Sequence, residues 1–247
     1  MRSDGTHVRR LVPCAFGVQS PDWSADGRHV VFVSSKDGDP GLYAVQADGG
    51  ERSGRIGRHI AGDPAWSPDG KMLAFVAGKS LFVAKADGTG ARRITGALVE
   101  IYGPHWSPDS ERIVYYAGGA VENLDLFVVA VASRRVTRLT RRKGDDVEPT
   151  WSPDGRTIAY VQRPPAAPMG ALVVIRADGS GRRTLLREPR YSSPAWSPNG
   201  TRIAIVRGFE SAAEIYTTAR NGSDLRRVTR NRYADDAPDW RPPPTPD

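Results

Sequence analysis

All six tryptophans of this 247-residue chain sit in one recurring motif. It reads PDWSADG from Pro21, PAWSPDG from Pro64, PHWSPDS from Pro104, PTWSPDG from Pro149, PAWSPNG from Pro194 and PDWRPPP from Pro238. Trp23, Trp66, Trp106, Trp151, Trp196 and Trp240 are spaced by 43, 40, 45, 45 and 44 residues, and proline stands two before each. A period of this length marks a supersecondary unit that buries its apolar face only against copies of itself.

The five full units share one internal order. After the turn comes an apolar run, HVVFV from His29, MLAFV from Met72, RIVYY from Arg112, TIAYV from Thr157 or RIAIV from Arg202. A variable loop leads to a second run: LYAV from Leu42, LFVA from Leu81, LFVV from Leu126, LVVI from Leu172 or IYTT from Ile215. A short turn, often Ala-Asp-Gly, precedes a basic third run such as RRIT from Arg92 or RRVT from Arg226. With the Trp segment, each unit holds four short strands and no helical period. Ser-Pro-Asp-Gly suits a tight turn: Pro presets φ, Asp bonds back to the backbone, and Gly takes the left-handed position. Asn199-Gly200 and Asn221-Gly222 are the same devices with Asn, although both begin Asn-x-Ser/Thr patterns.

Four-stranded units of this period are blades of an all-β propeller made of antiparallel blades. The whole chain, 1–247, reads as one domain with units at 18–59, 60–98, 99–142, 143–188 and 189–231. Residues 3–12 match only an outer strand and residues 233–240 only an inner strand. The expectation is therefore five complete blades plus a vestigial sixth formed by the chain ends, with a five-bladed ring as the alternative. The pattern WSPDG…IAF…LYV…ADG…RRLT resembles the WD40-like PD40 repeat of the TolB-like propellers, which also occurs in propeller domains of prolyl-oligopeptidase-type peptidases. DVEPTWSPDG from Asp146 is an especially close likeness. The resemblance implies a noncatalytic scaffold that binds a protein or peptide partner. It also implies a periplasmic or extracellular setting, although residues 1–12 lack a basic-then-apolar leader pattern.

A net charge of +7 raises nucleic acid as a partner, yet 30 of the 35 basic residues are Arg. The pairs Arg9-Arg10, Arg92-Arg93, Arg134-Arg135, Arg182-Arg183 and Arg226-Arg227 all fall at the outermost strand of a unit. That spreads the charge round the rim, where it deters edge-to-edge association, and gathers no continuous track for a phosphate backbone. No nucleic-acid partner is expected. No apolar run approaches the ~20 residues of a membrane span.

Catalytic motifs are missing. Gly78-Lys79-Ser80 has Leu73 where a phosphate loop needs glycine, and Gly88-Thr89-Gly90 lacks the third glycine and the helix. There is no G-x-S-x-G elbow and no HExxH. The single cysteine, Cys14, excludes an internal disulfide and a multi-Cys zinc site. Of the four histidines, His105 alone adjoins an inner-strand Trp, which makes it the one candidate for a channel-centred metal enzyme. Three readings follow: a noncatalytic scaffold, a propeller domain of a peptidase or other hydrolase, and a cation-binding propeller.

Loop position supplies the site candidates. Loops before the first strand and between the second and third share one face, and they carry the length variation expected of a binding surface. Asp63, Asp145, Asp146, Glu148, Asp235 and Asp236 precede inner strands there, with Asp37, Asp39, Glu122 and Asp125 in neighbouring loops. Such carboxylates suit a basic peptide or a hard cation, and Ca2+ at the channel mouth is the one cofactor candidate. Tyr102, Tyr191 and Tyr233 precede inner strands too and are candidate partner contacts. The six tryptophans are assigned to packing between blades.

Overall fold

The computed structural model describes all residues except 1–5, 7, 8, 13–16, 36, 37, 39, 49–54, 57–61, 97–99, 119–122, 166, 168, 209–211, 231–233 and 243–247. Cys14, Asp37, Asp39, Glu122 and Tyr233 thus lie outside the described residues. The first blade is β1 (Gln19–Trp23), β2 (His29–Ser34), β3 (Gly41–Gln46) and β4 (Arg55–Ile56). The second is β5 (Gly62–Trp66), β6 (Met72–Ala77), β7 (Ser80–Lys85) and β8 (Arg92–Arg93). The third is β9 (Glu100–Trp106), β10 (Arg112–Gly118), β11 (Asp125–Ala130) and β12 (Val136–Arg138). β13 (Asp145–Trp151), β14 (Thr157–Arg163) and β15 (Gly170–Arg176) begin the fourth. β16 (Arg183–Trp196) is both its outer strand and the inner strand of the fifth, which β17 (Arg202–Arg207), β18 (Glu214–Ala219) and β19 (Arg226–Arg227) complete. Pairing within every blade is antiparallel and sequential, so each blade is a meander.

The turn motif works as its composition predicts. Ser67 Oγ donates to Asp69 Oδ1 at 2.6 Å, Gly70 N donates to Ser67 O at 2.8 Å, and Met72 N donates to Ser67 Oγ at 2.8 Å. The serine is a buried cross-brace, fully so at Ser67 and Ser107. Asn199 replaces aspartate, accepting from Ser197 Oγ at 2.8 Å. Three motif tryptophans share a core cluster with the preceding blade. Trp106 lies among Val83 and Ile94, Trp151 against Val128, and Trp196 against Val174 and Leu185.

The rim departs from the expectation in two places. Arg134 and Arg135 sit in the turn before β12, and Arg138 is the outer-strand arginine of that blade. Nor is the basic rim simply solvated. Arg138 pairs with the buried Asp125, which also accepts Thr140 Oγ1 at 3.0 Å. Arg227 does the same with Glu214, which accepts Thr229 Oγ1 at 2.5 Å. Asp125 is thus a staple between third and fourth strands, not a surface carboxylate; it is 2% exposed.

At the chain ends, no strand forms among the described residues of 6–12 or 234–242. The C-terminal segment nonetheless occupies a sixth inner position. Trp240 Nε1 donates to Ala195 O at 3.1 Å, matching Trp106 Nε1 to Ala65 O at 2.9 Å. On its other side, Arg241 Nε donates to Gly27 O at 3.0 Å. Leu11 and Val12 pack on the outer core of the first blade, against Tyr43 and Val45.

Candidate functional site

Every inner strand breaks its ladder at the same point, just before the motif proline. The register shifts between Gln19 and Asp22, Gly62 and Ala65, Tyr102 and His105, Val147 and Thr150, and Ser192 and Ala195. The residue preceding each proline takes left-handed φ: Ser20 50°, Asp63 43°, Gly103 51°, Glu148 54°, Ser193 50° and Ala237 47°. Residues before proline normally favour extended backbone, so this conformation is held by its surroundings. A bulge re-aims side chains and bends the strand. Here five bulges turn five x-Pro-x segments toward one axis, and Ala237 shares the left-handed geometry without sharing a ladder.

Those segments line an axial cavity of about 260 Å3. Neighbours are stitched together across it. Ser20 Oγ donates to Asp63 Oδ1 at 3.1 Å, and Gly103 N donates to Asp63 Oδ2 at 3.0 Å. Ser193 N donates to Glu148 Oε2 at 2.6 Å, and Ser193 Oγ to Asp236 Oδ1 at 3.1 Å. A deeper tier uses the residue between proline and tryptophan. Trp66 N donates to Asp22 Oδ2 at 2.7 Å, Trp151 N to His105 Nδ1 at 3.3 Å, and Trp23 N to Asp239 Oδ2 at 3.2 Å.

The deeper tier is electrostatically strained. Burial, and then the nearby charge of Asp239, push Asp22 well above the usual carboxylate range. Asp239 keeps solvent contact along the cavity, yet the enclosing wall raises it too. Burial lowers His105 to about 4, so it is a neutral hydrogen-bonding imidazole at pH 7. Its Nε2 faces Thr150 Oγ1 at 3.2 Å.

The cavity opens on the loop face beside two depressions. One, of about 360 Å3, lies between Glu148, Arg163, Ser193, Asp235 and Asp236. The other, of about 330 Å3, lies between Glu100, Tyr102, Tyr116, Asp145 and Arg163. Arg163 pairs with Glu148 where the three spaces meet. Burial raises Glu148 despite that partner. Among the residues lining these three spaces the carboxylates outnumber the one arginine, Arg163, so the mouth is locally acidic and not uniformly negative.

Of the candidates named from sequence, Asp63, Glu148 and Asp236 converge on the mouth, and Asp235 lines the first depression. Asp145 lines the second, where its Oδ1 accepts Leu124 N at 3.0 Å. Asp146 points the other way, as strand alternation requires. It is fully buried, neither oxygen has a hydrogen-bond partner, and burial raises it to about 6. Tyr191 is 3% exposed and packs within the fourth and fifth blades. Neither of these two side chains reaches the face. Tyr102 does: it stacks on Tyr116 at 5.4 Å and donates its hydroxyl to Glu100. Asp22, Asp239, Tyr116 and Arg163 were not singled out from sequence. The repeated Pro-Asp-Trp at both chain ends carried the signal for the first two. Among the described residues, no three of His, Cys, Asp and Glu come together as a metal-holding group. No helix among them is long and apolar enough to cross a membrane.

Comparison with known proteins agrees with this geometry. The PD40 family, described as the TolB beta propeller domain, matches residues 57–169. A Tol-Pal system protein TolB from Anaeromyxobacter sp. (strain K) is 34% identical over 109 residues, 42% of this chain and 25% of that protein. A protein from Bacillus subtilis (strain 168) named uncharacterized peptidase YuxL is 30% identical over 122 residues, 44% of this chain and 18% of its own length. The matched stretches thus span a quarter or less of these curated relatives. The crystal structure of TolB from Acinetobacter baumannii superposes with a TM-score of 0.85 at 20% identity, covering 98% of this chain and 61% of that one.

Proposed function

We propose, from the premise that this chain is a TolB-like β-propeller, that it is a noncatalytic scaffold whose loop face and channel mouth receive a protein or peptide partner. The observation that carries this reading is the convergence of six x-Pro-x segments, five of them bulged, on one cavity with Asp63, Glu148 and Asp236 at its mouth. A rigid frame with carboxylates round a concave opening suits a segment bearing lysine or arginine. The shared hydrogen bonds hold the backbone of the mouth, so an incoming segment meets a preorganised surface and loses little in ordering it.

The reading is tested by calorimetric titration of a lysine-rich decapeptide into the wild type and into Asp235→Asn/Asp236→Asn. Saturable binding that weakens with salt and with the double substitution supports it, because exposed charge pairs are screened over about 8 Å at physiological ionic strength. Equal binding of an acidic decapeptide, or no binding of either, removes it.

The similarity to a protein named a peptidase favours a second reading, a propeller that accompanies a hydrolase domain. A fluorophosphonate probe applied to the natural full-length protein separates the two: serine labelling supports the hydrolase reading, and its absence the scaffold.

A further inference from the structure

A further cavity lies away from the loop face, in the cleft between the first and second blades at the end of the tight turns. It encloses about 550 Å3 beside Trp66, with Ala44, Ile56 and Ala86 as apolar walls and the turn carboxylates Asp26 and Asp69 in the same lining. The indole Nε1 of Trp66 is buried and, like those of Trp151 and Trp196, has no hydrogen-bond partner among the described residues.

The propeller repeats this cleft, and elsewhere a long side chain of the protein fills or bridges it. Between the third and fourth blades, the guanidinium of Arg112 lies 4.8 Å over Trp151 and pairs with the turn carboxylate Asp109 at 3.2 Å. At the ring's closing junction, Arg241 lies 5.6 Å over Trp23. Between the fourth and fifth, Arg220 reaches Asp154 at 3.6 Å. Between the second and third, Met72 packs against the core cluster that holds Trp106. In the first cleft the repeat places His29 where Arg112 stands, Ala44 where Val128 stands, and Ala86 where Arg220 stands. Among the described residues the acceptors remain and no guanidinium stands over Trp66. Burial pulls Asp26 and Asp69 upward. The serine hydroxyl and backbone N–H donors of each turn outweigh it, and both stay below the ordinary carboxylate value. Lys71 Nζ, 3.6 Å from Asp69 on a side chain 80% exposed, is a weak competitor.

We propose that this cleft binds the guanidinium group of an arginine presented by a partner polypeptide, stacked on Trp66 and paired with Asp26 and Asp69. Arginine suits all three surfaces. Its planar head stacks on an indole face and pairs with carboxylates, and its methylene stem lies along apolar walls. The site opens on the turn face, so it stands independently of the loop-face reading.

The test follows the Trp66 indole N–H resonance, assigned with Trp66→Phe, while N-acetyl-arginine methylamide is titrated into the full chain. The uncharged citrulline counterpart serves as the control. A saturable shift with the arginine probe alone is expected, weakened roughly fivefold or more by Asp26→Asn/Asp69→Asn. His29→Arg restores the arrangement of Arg112 over Trp151 and is expected to abolish the shift. It decides the matter should the double variant fail to fold. No shift, an equal shift with citrulline, or an unchanged shift in His29→Arg overturns the proposal. So does a guanidinium of Arg52, Arg55 or Arg58 found over the Trp66 indole in the free protein, because the chain would then fill its own cleft.

Discussion

The carboxylate of Asp239 accepts a hydrogen bond from the backbone N–H of Trp23 at 3.2 Å, across 216 residues of sequence. It is the closing member of a series that includes Asp22 with Trp66 and His105 with Trp151. In each, the residue before one tryptophan satisfies the backbone of the next tryptophan round the ring. The ring is thus closed by the element that joins its interior blades, with no outer strand at the closure among the described residues.

Asp239→Ala should cost about 1–3 kcal/mol in denaturant unfolding, since it leaves the N–H groups of Trp23 and Trp240 without their acceptor. Asp239→Asn keeps an acceptor and removes the repulsion with Asp22, so it should cost less than the alanine variant above pH 7. Equal losses in both would mean that the charge, and not the bond, matters.

Trp151→Ala should destabilise by about 3–5 kcal/mol, because the ring is 3% exposed, packs across the blade junction and lies under Arg112. Trp66→Ala, at the open cleft, should cost distinctly less. Parallel chemical denaturation of the two variants measures the difference, and an equal loss would show that the cleft between the first two blades is filled.

Gly103→Ala tests the bulge. Its φ is 51°, and a Cβ there would come within 2.7 Å of Tyr116 Cε1. The substitution should cost about 1–3 kcal/mol and disturb the Tyr102–Tyr116 stack. A change in the tyrosine near-ultraviolet dichroism should accompany the loss. An unaltered spectrum and midpoint would refute the steric argument.

Two buried groups give stability opposite dependences on pH. Asp146 is raised to about 6 by burial, ahead of the charges of Arg182, Asp125 and Arg142, while the Thr140 hydroxyl is given to Asp125. The folded state therefore holds a proton that the unfolded state loses. This contribution is complete below the unfolded value near 4 and vanishes as pH rises through about 6. Asp146→Asn should then gain up to about 3 kcal/mol on the wild type between pH 4 and pH 7. His105 is lowered to about 4 by burial, so its contribution is complete above about 6.5 and is lost as pH falls through 4. His105→Gln should flatten the acid limb of the stability curve. Urea midpoints at half-unit pH intervals test both signs.

The blade architecture was legible in one sequence because it rests on local chemistry repeated five times. The tryptophan spacing set the period, Ser-Pro-Asp-Gly set the turns, and alternating apolar runs set the strands. Even the residual inner position at 234–242 could be read from Pro238-Asp239-Trp240, although no strand forms there. Other features depended on relations between blades that no local pattern carries. Asp145 and Asp146 are adjacent in sequence and similar in composition, yet pleating sends one to the loop face and buries the other. Tyr191 precedes its tryptophan as Tyr102 does, but β16 runs unbroken out of the fourth blade, and Tyr191 is covered by both neighbours. The left-handed residue before each proline was also invisible, because Ser20, Asp63, Gly103, Glu148, Ser193 and Ala237 share no chemistry. Local sequence determined which segments become strands and turns, since those depend on dihedral preference and hydrophobic period. Closing the ring decided which side chains face the axis, which sink between blades and which cleft stays open, since these depend on what each blade meets in its neighbour.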